Sequence, residues 1–192
     1  MKSQLRLIAK NNRAKINPTF NQNVLTENHI SHCLDKILHN KRHIKSVGLY
    51  YPIHNEISPF GFIKYLNFNN FKLTLPIVQA QSKNLLFIEW NVKEKLQKGK
   101  FGNLEPSYNG FNYLPQLIIV PMLMFDKNLN RLGYGGGYYD KSINELRKHF
   151  STIKKDFITI GLAYSSQQAK SIPHEVHDER LDFIITEQKL LS

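Results

Sequence analysis

The sequence predicts a layered α/β/α fold around a mostly parallel central sheet. Two observations carry that expectation. Short apolar runs rich in β-branched and aromatic residues recur along the chain, and several are apolar at successive rather than alternate positions, as strands covered on both faces are. Segments of helical spacing lie between them, and βα alternation implies helices packed on a sheet. At 192 residues the chain fits one domain over 1–192, with a core of ordinary size.

The elements follow in order. Residues 2–16 place Leu5, Ile8 and Ala9 at helical spacing among Lys2, Arg6, Lys10, Arg13 and Lys15, which predicts a basic amphipathic helix with those three as its apolar stripe. Pro18 separates it from a second helix over about 20–39, carrying Val24, Leu25, Cys33, Leu34, Ile37 and Leu38, with Pro18 and Thr19 near its start. Strands are predicted at 46–51, 72–78, 85–90, 117–121, 157–164 and 182–187, and further helices at about 59–69 and 138–150. Residues 91–115, rich in Gly, Asn, Pro and Lys and without a sustained period, read as a long surface loop with functional potential.

Composition narrows the function without choosing it. Lys plus Arg 26 against Asp plus Glu 15 gives a formal charge of +11, which attracts nucleic acid, nucleotides, phosphorylated metabolites and polycarboxylates alike. The single cysteine, Cys33, excludes an internal disulfide and a Cys-based zinc site, and reads as a small buried group on a helix. No apolar run reaches the roughly 18 to 20 residues of a membrane helix, and the basic N-terminus has no apolar signal core, so the cytoplasm is the expected location and no membrane partner is expected.

The stretch "RLGYGGGYYDK", Arg131 to Lys141, is the most unusual in the chain. Gly133, Gly135, Gly136 and Gly137 permit backbone angles that other residues avoid, and they bare N–H groups that can converge on one anion. A helix opening at Tyr138 would add the positive end of its dipole, and Arg131 and Lys141 flank the loop as charged donors. The sequence matches neither the P-loop, since Tyr138 follows Gly137, nor G-x-G-x-x-G, so a plain glycine-rich connection stays open on composition alone. Asp140 favours the anion reading, because a carboxylate just past such a cradle suits a magnesium–nucleotide site.

"DKNLNRLGYGGGYYDK" resembles the central signature of the 5-formyltetrahydrofolate cyclo-ligases, also called methenyltetrahydrofolate synthetases. The resemblance runs from "KSQLR" through "NEIS" and "FGNLEP" to "IPHEVHDERLD". It implies ATP-driven closure of 5-formyltetrahydrofolate to 5,10-methenyltetrahydrofolate, with ATP as co-substrate and Mg²⁺ as cofactor, by a monomer acting on a reduced folate that can carry a polyglutamate tail. It assigns ATP binding to Lys2, Arg6, Arg131, Leu132, Gly133, Tyr134, Gly135, Gly136, Gly137, Tyr138 and Tyr139. Folate binding falls to Tyr51, Glu56, Trp90, Tyr134, Gly135, Gly136, Gly137 and Tyr138, magnesium to Asp140 and Asp178, and charge neutralisation during catalysis to Arg131, Lys2, Arg6 and the metal; Lys141, flanking the loop, is an additional catalytic candidate.

Several of these positions also have their own physical reading. Lys2 and Arg6 lie one helical turn apart, so both can reach one triphosphate. A Glu56 carboxylate suits the N–H donors of a pterin, and Tyr51 a stacking or edge contact. Pro59 stands where the family would have Thr, and Tyr134 where some members are basic. Trp90 with Lys93, Lys95, Lys98 and Lys100 suits a flat ring and a glutamate tail, or equally a core tryptophan beside a solvated charge run. His174 and His177 beside Asp178 suggest zinc, disfavoured for want of a second ligand cluster. Asp182 reads as structural, a cap or a partner of Arg131 or Arg180. Neither Cys33 nor Ser165 and Ser166 reads as a nucleophile. Two other classes remain: a sugar-phosphate isomerase or CoA-transferase-like enzyme, which would not need ATP, and a basic RNA-binding module, for which no recognition motif is present, so no nucleic-acid partner is expected.

Overall fold

The computed structural model describes residues 1–16, 25–79, 83–100, 102–108 and 110–192. The expected helix start at 20–24, with Pro18, Thr19 and Val24, lies outside them, as does Phe101 of "FGNLEP". Among the described residues the helices are α1 (Lys2–Ala14), α2 (Glu27–Leu38), α3 (Gly61–Phe68) and α4 (Tyr138–Thr152). Thr26 caps α2, its side-chain oxygen accepting the His29 N–H at 3.2 Å, which satisfies one of the donors a helix start leaves open.

The strands are β1 (Ser46–Gly48), β2 (Lys72–Val78), β3 (Leu85–Glu89), β4 (Gln97–Lys98), β5 (Leu104–Glu105), β6 (Leu117–Pro121), β7 (Met124–Phe125), β8 (Arg131–Leu132), β9 (Ile158–Leu162), β10 (Phe183–Ile185) and β11 (Leu190–Leu191). The main sheet runs β11-β10-β9-β6-β1-β2-β3, parallel from β10 to β2 and closed at each end by an antiparallel strand. All five residues of β9 are buried, as an apolar run on successive positions requires of a strand covered on both faces. One core cluster takes Ile30, Cys33 and Leu34 of α2 with Phe62 and Leu66 of α3; the other takes Ile143, Leu146 and Phe150 of α4. The result is the predicted α/β/α layering. Residues 91–115 are less open than expected, since β4 and β5 pair within them and Tyr113 bridges to Phe87.

The chain leaves β1 towards β2 and β6 towards β9, so the winding direction reverses between these adjacent strands. At such a switch point the following segments diverge and leave a crevice beyond the strand ends.

One expectation is overturned. Of the expected stripe of α1, Ala9 is buried and Leu5 half-buried, but Ile8 is 51% exposed and Arg13 is buried instead. The helix turns Lys2, Arg6 and Arg13 inward, where a carboxylate, a carbonyl and a hydroxyl accept from them, while Lys10 stays exposed.

Candidate active site

That crevice is a cleft of about 710 Å³. Its walls come from the segments after β1 (Tyr50, Tyr51, Ile53, His54, Glu56), the ends of β2 and β6 (Pro76, Val78, Pro121), the loop before α4, the inward face of α1, and the 175–178 segment.

One half is built for anions. Gly135 at φ +101° and Gly137 at φ +71° hold backbone that L side chains rarely adopt, and Gly137 is the N-cap of α4. A glycine cap has no side chain to bond the first-turn amides, which leaves them to an outside acceptor. Arg6 Nε donates to the Gly133 carbonyl at 3.0 Å and so lies along the loop. Arg131 is buried, its Nη2 donating to Asp140 Oδ1 at 2.8 Å. Its Nε is also buried and has no hydrogen-bond partner among the described residues, an orphaned donor that a bound anion would satisfy. Lys2 Nζ reaches Asp178 Oδ2 at 2.6 Å and Glu175 Oε1 at 3.2 Å. Burial acts to raise the Asp178 carboxyl, but hydrogen bonds from Lys2 and the Glu175 N–H, with the Lys2 charge, outweigh it and hold it below the ordinary carboxylate value.

Asp140 accepts both Arg131 and the Glu179 N–H at Oδ1, and Asp178 its bonds at Oδ2. The second oxygen of each carboxylate is unused among the described residues. Asp140 and Asp178 both line the cleft, and two carboxylates from distant parts of the chain are the donor type that a Mg²⁺ ion taking its other ligands from phosphate and water would use. Glu175, His177 and Asp178 also bring ligand atoms within 4.8 Å of one another, of which Glu175 and His177 are exposed; His174 is not among them.

The other half is apolar and aromatic around one carboxylate. Glu56 is 6% exposed; its Oε2 accepts the Ile53 N–H at 2.9 Å and its Oε1 the Tyr134 hydroxyl at 2.8 Å. Burial pushes its carboxyl above the ordinary value, opposed by the Ile53 bond, by Arg13 and by Tyr134. Tyr51 sits edge-on to Phe60, with ring centres 5.1 Å apart.

The structure therefore gathers Lys2, Arg6, Tyr51, Glu56, Arg131 to Tyr139, Asp140 and Asp178 around one cleft. Trp90 is elsewhere: it is 6% exposed in the core, 6.0 Å from Phe60, because its backbone N–H extends the β2–β3 pairing to Leu73. Lys141 is exposed and lines no part of the cleft, since one helical step past Asp140 turns it to solvent. Lys93, Lys95, Lys98 and Lys100 are exposed, and Asn103 is the residue through which their loop reaches the cleft. Asp182 pairs with Arg147 and Thr159 rather than with Arg131 or Arg180. Arg13 was missed as a functional residue, although positions 2, 6, 9 and 13 share one helical face; that signal was in the sequence.

A family model described as the 5-formyltetrahydrofolate cyclo-ligase family matches residues 1–187. The 5-formyltetrahydrofolate cyclo-ligase of Haemophilus influenzae is 34% identical over 152 residues, covering 77% of each chain. Among solved structures, a 5,10-methenyltetrahydrofolate synthetase from Mycoplasma pneumoniae superposes with a TM-score of 0.69 at 26% identity, over 97% of this chain and 98% of its own. The Aquifex aeolicus 5,10-methenyltetrahydrofolate synthetase gives 0.74 at 27% identity, over 99% and 91%.

Proposed function

The chain belongs to the 5-formyltetrahydrofolate cyclo-ligase family, and from that membership we propose how its cleft performs the reaction. The activity is ATP-dependent cyclisation of 5-formyltetrahydrofolate to 5,10-methenyltetrahydrofolate, with release of ADP and phosphate. The observation that carries the residue assignment is that one cleft joins a cation-lined glycine loop to a buried carboxylate in an aromatic wall.

The formyl oxygen is a poor leaving group. It attacks the γ-phosphorus of ATP, the P–O bond to ADP breaks, and the N5 lone pair makes the formyl carbon an iminium carrying a phosphate ester. N10 then bonds to that carbon and loses its proton, and phosphate departs with the C–O electrons to leave the methenyl bridge. The protein aligns oxygen with phosphorus and neutralises charge, so positioning and electrostatics supply the rate. Arg131, Arg6 and Lys2 face the phosphates with the amides of Gly133–Gly137 and the N-terminus of α4. Asp140 and Asp178 would hold Mg²⁺, which when bound screens phosphate charge. Glu56 accepts the pterin N–H donors, and Tyr51 lies against the ring.

We take the working form to be a single-domain, cytoplasmic monomer. The exposed lysines at 93, 95 and 98 give a polyglutamate tail a cationic path. The test is incubation with 5-formyltetrahydrofolate and Mg-ATP, following the near-ultraviolet absorbance of the methenyl product, with ATP omitted as the control. Absence of product with both substrates present would sink the proposal.

A further inference from the structure

Arg13 is not itself a lining residue of the cleft, yet it is 4% exposed, deeper than the other charged residues of α1. Its Nη2 donates to the Tyr134 hydroxyl oxygen and its Nη1 to the Met122 carbonyl at 3.4 Å; the guanidinium carbon lies 5.3 Å from the centre of the Tyr134 ring. Nη1 is also 3.8 Å from Glu56 Oε1. The Tyr134 proton is thereby committed to Glu56, because the oxygen that carries it already accepts from Arg13. A chain of donors runs from a buried cation through a hydroxyl to the carboxylate.

That carboxylate has a task only its ionised form performs. Ionised, it accepts two N–H donors side by side; protonated, one of its oxygens becomes a donor and opposes them. Burial favours the protonated form, and few groups resist it. Facing Glu56 are Tyr50 after β1, Tyr134 in the glycine loop, Tyr139 on α4 and Arg13 on α1. The three tyrosines are neutral, leaving Arg13 as the cation among them.

We propose that Arg13 is a positioning residue for folate recognition, acting through Tyr134 to orient the Glu56 carboxylate and keep it a hydrogen-bond acceptor. The inference rests on the reading of this cleft as the folate site. It also gives α1 two tasks: Lys2 and Arg6 serve the phosphate end, and Arg13, about 16 Å from Lys2 and about 10 Å from Arg6 along the helix at 1.5 Å per residue, serves the pterin end.

The test compares wild type, Arg13→Lys, Arg13→Met, Tyr134→Phe and the double variant Arg13→Met/Tyr134→Phe. It measures calorimetric binding of 5-formyltetrahydrofolate without ATP, KM for each substrate, and kcat/KM for folate between pH 5 and 9. Arg13→Met is expected to weaken folate binding about tenfold, the worth of one charge-assisted hydrogen bond, and to leave the ATP KM within about twofold. It should also move the acid limb of the folate profile to higher pH. Arg13→Lys should restore most of the affinity, and the double variant should lose less than the product of the single losses. Unchanged folate affinity in Arg13→Met, or equal losses for folate and ATP, overturns the proposal. If Arg13→Met does not fold, Tyr134→Phe and Arg13→Lys decide, because unaltered folate binding and pH profile in both remove the relay. A wild type that makes no methenyl product defeats the assigned reaction instead.

Discussion

Replacing Gly135 by Ala tests the glycine loop and its cation together. At φ +101° an L residue is strained, at a cost of about 2 kcal/mol, which for a chain of this size lowers Tm by roughly 4–8 °C. The new Cβ would also lie 3.1 Å from Arg6 Cζ, 3.3 Å from its Nε and 3.4 Å from its Nη1. Contacts that tight push the guanidinium off its 3.0 Å bond to the Gly133 carbonyl and away from the loop. Loss of a hydrogen bond from a charged group is worth about 1.5–3 kcal/mol, so ATP affinity should fall about tenfold or more. In an Arg6→Ala background the crowding is gone and only the strain remains. There Gly135→Ala should repeat the Tm loss while changing ATP affinity by less than about threefold. The assay is a double-mutant cycle on nucleotide affinity with thermal unfolding alongside. Additive affinity losses would refute the claim that Arg6 and this loop hold the same phosphate.

Arg131→Ala should lower kcat by about 100-fold or more, as loss of a donor aimed at developing charge does; a folded variant with normal turnover removes the phosphate role. In Asp140→Asn the magnesium dependence of turnover should shift to higher concentration, and an unmoved titration curve removes the metal role. Lys2→Met tests the pair with Asp178. A carboxyl held below its unfolded value of about 3.9 stabilises the fold above that pH, and the contribution disappears as pH falls through the folded value. The wild-type advantage in unfolding free energy, about 1 kcal/mol for a partly exposed pair, should be present at pH 6 and shrink as pH falls through the lowered Asp178 value; a difference constant with pH contradicts it. Trp90→Phe should cost about 1–2 kcal/mol of stability through lost packing and leave the folate KM within about twofold, whereas a large KM rise would return Trp90 to the site.

The sheet was legible because burial on both faces writes itself as consecutive apolar residues, as the run through Ile158–Leu162 does. The glycine loop was legible because Gly135 and Gly137 occupy backbone that other residues avoid. Placement relative to distant partners was not. The period of α1 gives its faces, but which face turns inward was set by Asp178, the Gly133 carbonyl and Tyr134, more than a hundred positions away. Trp90 beside a lysine run fits a substrate loop as well as a core, and only the pairing of β3 with β2, which carries its N–H to Leu73, decides for the core. Lys141 differs from Asp140 by one position, yet on a helix beginning at Tyr138 that step turns it from the cleft to solvent.

The inverted face of α1 follows from what the helix must hold. A helix docked by apolar side chains would fill the mouth of the cleft with the groups least able to meet a triphosphate. Here Ala9 is the one buried apolar residue of α1, so the helix approaches closely, and its attachment is polar along its length: Lys2 to Asp178, Arg6 to Gly133, Arg13 to Tyr134. Hydrogen bonds from charged groups contribute about 1.5–3 kcal/mol each, so α1 is held by a few polar contacts rather than by an apolar face. On the proposed assignment, phosphates at Lys2 and Arg6 would strengthen that hold from one end, and a folate on Glu56 would do so, through Tyr134 and Arg13, from the other. Ligands that stabilise the same docked helix must raise one another's affinity by the same factor. The cations that make the N-terminal segment look like a solvated surface helix in sequence are thus what holds it against the cleft.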